Sequence, residues 1–207
     1  MSKLIFNNLN ELWFKETNSK WQVKKNRQLF KMSKRIVGKE WVNYDLLTMG
    51  KAGVSLRDID SGKGKFPASF EGYQIVEPND LIFCLYDMDE TPRTIGYSKL
   101  NGMITSSYTI VKCFENVDPK FIFYVYLLID NAKGLKSYYT GLRNSIRPET
   151  FMNIEISVPN FDIQKKIAKK LDSEMLNLDK VISLQKDKID LLEQLKQTTV
   201  YESLINE

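Results

Sequence analysis

The sequence predicts an α+β fold: one globular domain over residues 1–160, followed by a long C-terminal coiled-coil helix over residues 161–207. Two observations carry this. Residues 1–160 alternate short apolar runs with Gly, Pro, Asp and Asn breaks, the pattern of strands and turns. Residues 162–205 contain neither Gly nor Pro, and their apolar positions recur at helical spacing. A hydrophobic content of 43% with 12% aromatics gives the first segment material for a core rather than disorder.

Strand-like runs fall at 41–47, 73–76, 80–86 and 108–113, all rich in aromatic and β-branched residues. A helix is expected over 121–132. Asp118 followed by Pro119 makes a good N-cap with proline at the first helical position, and Gly134 supplies the stop. Polar loops are expected at 50–66, 87–102 and 141–148. Cys84 and Cys113 sit in apolar contexts far apart in sequence and read as reduced core residues.

The final helix would be roughly 65 Å long at 1.5 Å per residue, more than a domain of this size can cover. Leu171, Met175, Leu178, Ile182, Ile189 and Leu192 trace a coiled-coil seam, which makes them the expected dimerisation contacts. A second stripe, Val181, Leu184, Leu191 and Leu195, widens the apolar face enough for two neighbours. Gln185 and Lys196 interrupt the seam, either as ordinary imperfection or as a polar layer that fixes register or antiparallel pairing. The segment reads as a spacer and docking rod.

Several function classes lack their residues. With no histidine, a Ser/His or Cys/His catalytic pair is excluded, and two scattered cysteines cannot hold a structural zinc. Ser61-Gly62-Lys63-Gly64-Lys65 is Gly-rich but lacks phosphate-loop spacing, and no GxGxxG turn occurs. Asp118-Pro119-Lys120 resembles a metal-nuclease pair, yet the N-cap reading fits it better. No apolar run reaches eighteen residues and the first ten lack a leader pattern, so a cytoplasmic protein with no membrane partner is expected.

Charge is distributed unevenly. Residues 1–60 hold 12 Lys and Arg against 6 Asp and Glu, while 61–161 and 162–207 are each close to balance. Lys20, Lys24, Lys25, Arg27, Lys31, Lys34, Arg35 and Lys39 follow one another without an acid between them, interleaved with Trp21, Val23, Leu29, Phe30 and Ile36. A basic surface on a folded segment suits a polyanion, most often nucleic-acid phosphates. The loops add Arg57, Lys63 and Lys65, then Arg93, then Arg143 and Asn144. Such side chains grip phosphates and read base edges; Arg57, Arg93 and Arg143 are the expected base readers, because a guanidinium fork matches the two acceptors of guanine.

One stretch carries a recognisable pattern. Gly141-Leu142-Arg143 is followed by Ile154-Glu155-Ile156-Ser157-Val158-Pro159 and then by Gln164-Lys165-Lys166-Ile167-Ala168 at the opening of the long helix. Together with the segments 86–96 and 102–108, this closely resembles the DNA specificity subunit of type I restriction-modification systems. The resemblance implies a target-recognition domain over 1–160 that binds double-stranded DNA and reads one half of a split site. It also implies a helical spacer and dimerisation region over 161–207 against which methyltransferase subunits dock, with a restriction subunit as a further partner. It implies a non-catalytic chain with no S-adenosylmethionine, ATP or metal of its own. Such subunits normally hold two recognition domains and two antiparallel helices, whereas this chain has one of each. A half-subunit, natural or truncated, that pairs with a copy of itself is therefore expected. The alternative is a coiled-coil interaction module with a head that does not bind DNA.

Overall fold

The computed structural model describes residues 21–58 and 67–205, and every strand pair among them is antiparallel. Its strands are β1 (Gln22–Lys25), β2 (Phe30–Ser33), β3 (Leu47–Gly50), β4 (Gly53–Leu56), β5 (Gln74–Val76), β6 (Leu81–Phe83), β7 (Ile95–Tyr97), β8 (Gly102–Ile104), β9 (Thr109–Cys113) and β10 (Glu155–Val158). Its helices are α1 (Pro119–Asn131), α2 (Pro148–Asn153) and α3 (Phe161–Ile205). The molecule is thus an α+β globular domain followed by a long C-terminal helix.

The largest sheet among the described residues has four strands in the order β2-β9-β6-β7, and β1-β10, β3-β4 and β5-β8 form three two-stranded pairs. Leu47, Val76, Ile82, Ile104 and Ile110 make one buried cluster; Val37, Leu46, Phe70 and Met103 make another. A third is aromatic. Phe83 lies 4.7 Å from Phe151 and 5.0 Å from Tyr126 between ring centroids, and Phe30 stacks on both phenylalanines. Fully burying each such ring stabilises the fold by about 1.5–3 kcal/mol. Asn26 holds this cluster together: it accepts from the Tyr126 hydroxyl at 2.7 Å, donates its amide to the Phe151 carbonyl at 2.8 Å, and donates its backbone N–H to Ile154 at 3.0 Å.

Runs 73–76, 80–86 and 108–113 contain β5, β6 and β9, so those strand expectations hold. Run 41–47 does not. Gly38–Asn43 is a 3-10 helix, and extension starts only at its end. Trp41 and Tyr44 both pack against the Phe70 cluster, and a spacing of three puts them on one side of a 3-10 turn but on opposite faces of a strand. The loop expected over 50–66 contains β4, and that over 87–102 contains β7. β7 is short and has glycine at its centre because a Cβ at Gly96 would come within 2.8 Å of the Met49 sulfur and of Val54. Gly102 meets a similar demand: its Cβ would lie 2.5 Å from the Asp45 carbonyl oxygen, which accepts the Met103 N–H at 2.8 Å.

α1 begins as expected, with the Asp118 carboxylate accepting the Phe121 N–H at 2.8 Å. Its end differs. Lys133, not Gly134, takes the left-handed conformation, with φ 51°. The Gly134 and Lys133 N–H groups donate back to Ile129 and Asp130, closing a Schellman motif with lysine where glycine is usual. Cys84 is buried and Cys113 half-buried; both are free thiols.

The chain divides into two compact units, Met1–Lys165 and Lys166–Glu207, so the division falls within the first turns of α3. In the second unit Met175, Leu178, Ile182, Ile189 and Leu192 are 41–54% exposed, and Val181, Leu184, Leu191 and Leu195 are likewise open. Leu171, at the start of the seam, is half-buried. No helix among the described residues is long and apolar enough to cross a membrane.

Candidate nucleic-acid interface

The acid-free run is laid out on β1, the turn after it, β2 and the segment that follows as far as Lys39 in the 3-10 helix Gly38–Asn43, while Lys20 lies outside the described residues. Lys24 and Lys25 are half-buried on β1, whose antiparallel partner β10 sets Lys24 opposite Ile156 and Lys25 opposite Glu155. Arg27 is exposed in the 3-10 turn Asn26–Gln28, and Lys31 and Lys34 are exposed on and just after β2. The turn exists because Asn26 is drawn into the aromatic core, which leaves its charged neighbours at the surface. A buried polar residue inside a basic run gives no local sign of itself, since its three partners come from far along the chain.

Arg35 behaves differently. Its Nη2 donates to Asp80 Oδ2 at 2.8 Å and its Nε to the Ser33 hydroxyl at 3.0 Å, and Nη1 pairs with Glu77. Lys112 meets the other Glu77 oxygen at 3.2 Å. The hydrogen bond from Arg35, then that from Lys112, holds the Glu77 carboxyl below its ordinary range. The Asp80 carboxyl moves the other way, because burial of its side chain outweighs the attraction of Arg35. Its Oδ1 is buried with no hydrogen-bond partner among the described residues. Arg35 is therefore committed to an ion-pair network between β2 and the turn before β6.

Arg57 follows β4 directly; its backbone N–H donates to the Leu46 carbonyl at 2.8 Å, and its side chain is half-exposed. Lys63 and Lys65 lie outside the described residues. Arg93 donates to Asn131 Oδ1 at 3.0 Å and stands 3.8 Å from the Asp130 carboxylate, which is itself buried and accepts the Thr94 N–H. Arg93 thus reaches the C-terminal end of α1.

Arg143 and Asn144 are brought together with the loop after β6. The Arg143 guanidinium donates from Nε to Asp87 Oδ1 at 2.9 Å and from Nη2 to Oδ2 in a two-pronged pair, and it lies 5.7 Å from the centre of the Tyr86 ring. The bond to Asp87 raises the guanidinium pKa. Asn144 donates to Asp89 Oδ2 at 3.0 Å, and Lys136, which the sequence reading did not single out, approaches the other Asp89 oxygen at 3.4 Å. Beneath these side chains the backbone pairs as well: Asp87 N–H to Arg143 carbonyl and Ile146 N–H to Leu85 carbonyl, both at 2.8 Å.

At the helix opening, Asn160 caps α3 by accepting the Ile163 N–H at 3.1 Å. Gln164 is buried, with both ends of its amide engaged. No group of three or more acidic or cysteine side chains capable of holding a metal occurs among the described residues.

Comparison with known proteins agrees with this architecture. Residues 18–194 match the type I restriction modification DNA specificity domain, and the chain belongs to that family. No curated protein matches. Among solved structures, a chain described under "Structural basis underlying complex assembly and conformational transition of the type I R-M system" superposes with a TM-score of 0.62 at 12% identity, covering 95% of this chain and 50% of that one. The S subunit of the type I restriction-modification system from M. genitalium gives a TM-score of 0.54 at 19% identity, over 82% of this chain and 42% of that one. These likenesses establish a shared fold. The present chain spans about half the length of the solved chains it matches.

Proposed function

We propose that this chain is a DNA-reading specificity subunit: its globular domain recognises one half of a split site in duplex DNA, and α3 sets the distance to the other half. The family match over residues 18–194 carries the reading. The acid-free basic run on β1 and β2 supports it, since exposed Arg27, Lys31 and Lys34 present cations to a phosphate backbone. The exposed apolar face of α3 takes a second α3 from another copy of this chain, and methyltransferase subunits dock alongside. The chain itself does no chemistry; base modification belongs to the docked subunits.

Duplex binding as a function of salt is the direct test. Replacing Lys24, Lys25 and Arg27 by Ala should weaken binding about equally for all sequences and flatten the log–log salt slope by about one unit per lost phosphate contact. An unchanged slope would assign that face to a protein partner. Absence of salt-dependent DNA binding in the unmodified chain would favour a coiled-coil interaction module instead.

A further inference from the structure

Three long polar donors on the segment after α1 face acids from one short loop. Arg143 is paired with Asp87, and Asn144 and Lys136 both meet Asp89. We propose that Lys136, Arg143 and Asn144 form a binding site for DNA backbone phosphates, and that Asp87 and Asp89 occupy these donors until phosphates displace them. The inference rests on the DNA-reading function proposed above and adds a site and a control to it.

Three observations carry it. First, the geometry is transferable: a guanidinium fork on a carboxylate matches a fork on a phosphate, so Asp87 holds Arg143 in the arrangement a phosphodiester would accept. Second, the donors are accessible. The Arg143 side chain is 71% exposed and that of Lys136 60%, so exchange requires no unpacking. Third, the ion pairs are not what holds the two segments together. Backbone hydrogen bonds already join Asp87 to Arg143 and Ile146 to Leu85, and the Thr91 hydroxyl and N–H both close onto the Asp87 carbonyl at 2.9 Å. The side chains can change partners while the backbone stays paired. A non-specific anion must then compete with built-in carboxylates, which favours DNA already positioned by other contacts.

The test uses the full chain and a duplex DNA of fixed sequence. Asp87→Asn is the suitable variant because Asp87 has φ 46°, a conformation Asn tolerates as well as Asp does. It should tighten binding about twofold to fivefold at low salt, the scale of an exposed ion pair. That gain should vanish in the Arg143→Gln background. Lys136→Gln alone should weaken binding and flatten the salt slope by about one unit; an unchanged slope would remove Lys136 from the site. An equal gain with and without Arg143 would mean general charge repulsion and overturn the guard. A loss of affinity in a normally folded Asp87→Asn protein, judged by its melting temperature, would overturn it too and make the pair a positioning contact. If no variant and no unmodified protein binds duplex DNA, the DNA-reading function itself falls, an outcome distinct from failure of the guard.

Discussion

The side chain of Gln164 accepts the backbone N–H of Asp118 at 3.0 Å and donates to the Pro159 carbonyl at 2.9 Å. Asp118 in turn caps α1 with its carboxylate. One amide therefore ties the first turn of α3 to the N-terminus of α1 and to the strand exit after β10. This explains in physical terms why a glutamine opens the helix: only a side chain with both a donor and an acceptor satisfies both backbone groups.

Gln164→Leu should accordingly cost about 1–3 kcal/mol, because it leaves a buried N–H and a buried C=O without partners. Gln164→Glu should be no better, since it keeps the acceptor but loses the donor and places a charge at a buried position. Urea denaturation at constant slope measures both. A loss below about 0.5 kcal/mol for Leu would mean that water replaces the amide there.

How much of this was legible beforehand differs from residue to residue. The Asp118 cap and the continuity of α3 rest on local rules, and both were readable in sequence. The 3-10 helix Gly38–Asn43 was not, because what decides it is the packing of Trp41 and Tyr44 on the cluster that holds Phe70 and Met103, residues well beyond the segment. β7 was hidden for a related reason: the close approach of Met49 and Val54 requires glycine at its centre, and that removes the alternation a strand shows. Arg143 was recognisable as a polar loop residue, but its partner Asp87 is 56 positions away. Whether such an arginine faces DNA, a carboxylate, or each in turn depends on contacts no local pattern contains.

The end of α1 offers a stabilising change. Lys133 adopts φ 51° where a Schellman motif favours glycine. Lys133→Gly relieves the Cβ strain, and although glycine loses more chain entropy on folding, a net gain of about 0.5–1 kcal/mol is expected. Thermal unfolding should show a midpoint higher by a few degrees. A lower midpoint would mean that the lysine side chain contributes more than its backbone strain costs.

Alkaline pH should weaken the fold in a residue-specific way. Burial chiefly, with help from Asp118 and Asp80, pushes the Cys113 thiol up to about 12 from an ordinary value of 9.0. The Tyr126 phenol is also raised, again by burial. For acids whose pKa is higher in the folded state, the unfolded chain releases its proton first. Stability is therefore full below pH 9 and declines as pH rises from 9 toward 12, by at most about 1.4 kcal/mol per pH unit for each group. Cys113→Ala should remove the part of the decline between pH 9 and 10, before tyrosine ionises. A denaturation midpoint flat from pH 8 to 11 in the parent protein would refute the assignment.

Pairing through α3, as proposed above, would have a consequence for the DNA sequence recognised. The seam residues Met175, Leu178, Ile182, Ile189 and Leu192 are all exposed in the single chain, a contiguous apolar surface of the kind that soluble proteins cover by association. Replacing Leu178 and Ile182 by Asp should convert a dimer to a monomer in sedimentation. If two copies associate about a two-fold axis, their identical recognition domains read the same half-site on opposite strands, so the site should be an interrupted palindrome. Methylation mapping after co-expression with the cognate methyltransferase would reveal it. The gap should also follow helix length. Deleting seven residues between Leu178 and Leu192 removes two helical turns, about 10 Å of rise, equivalent to roughly three base pairs at 3.4 Å each. The gap should then contract while the half-site stays fixed. Two different half-sites in the map would refute self-pairing and place the second recognition domain on another polypeptide, leaving DNA reading by this domain intact.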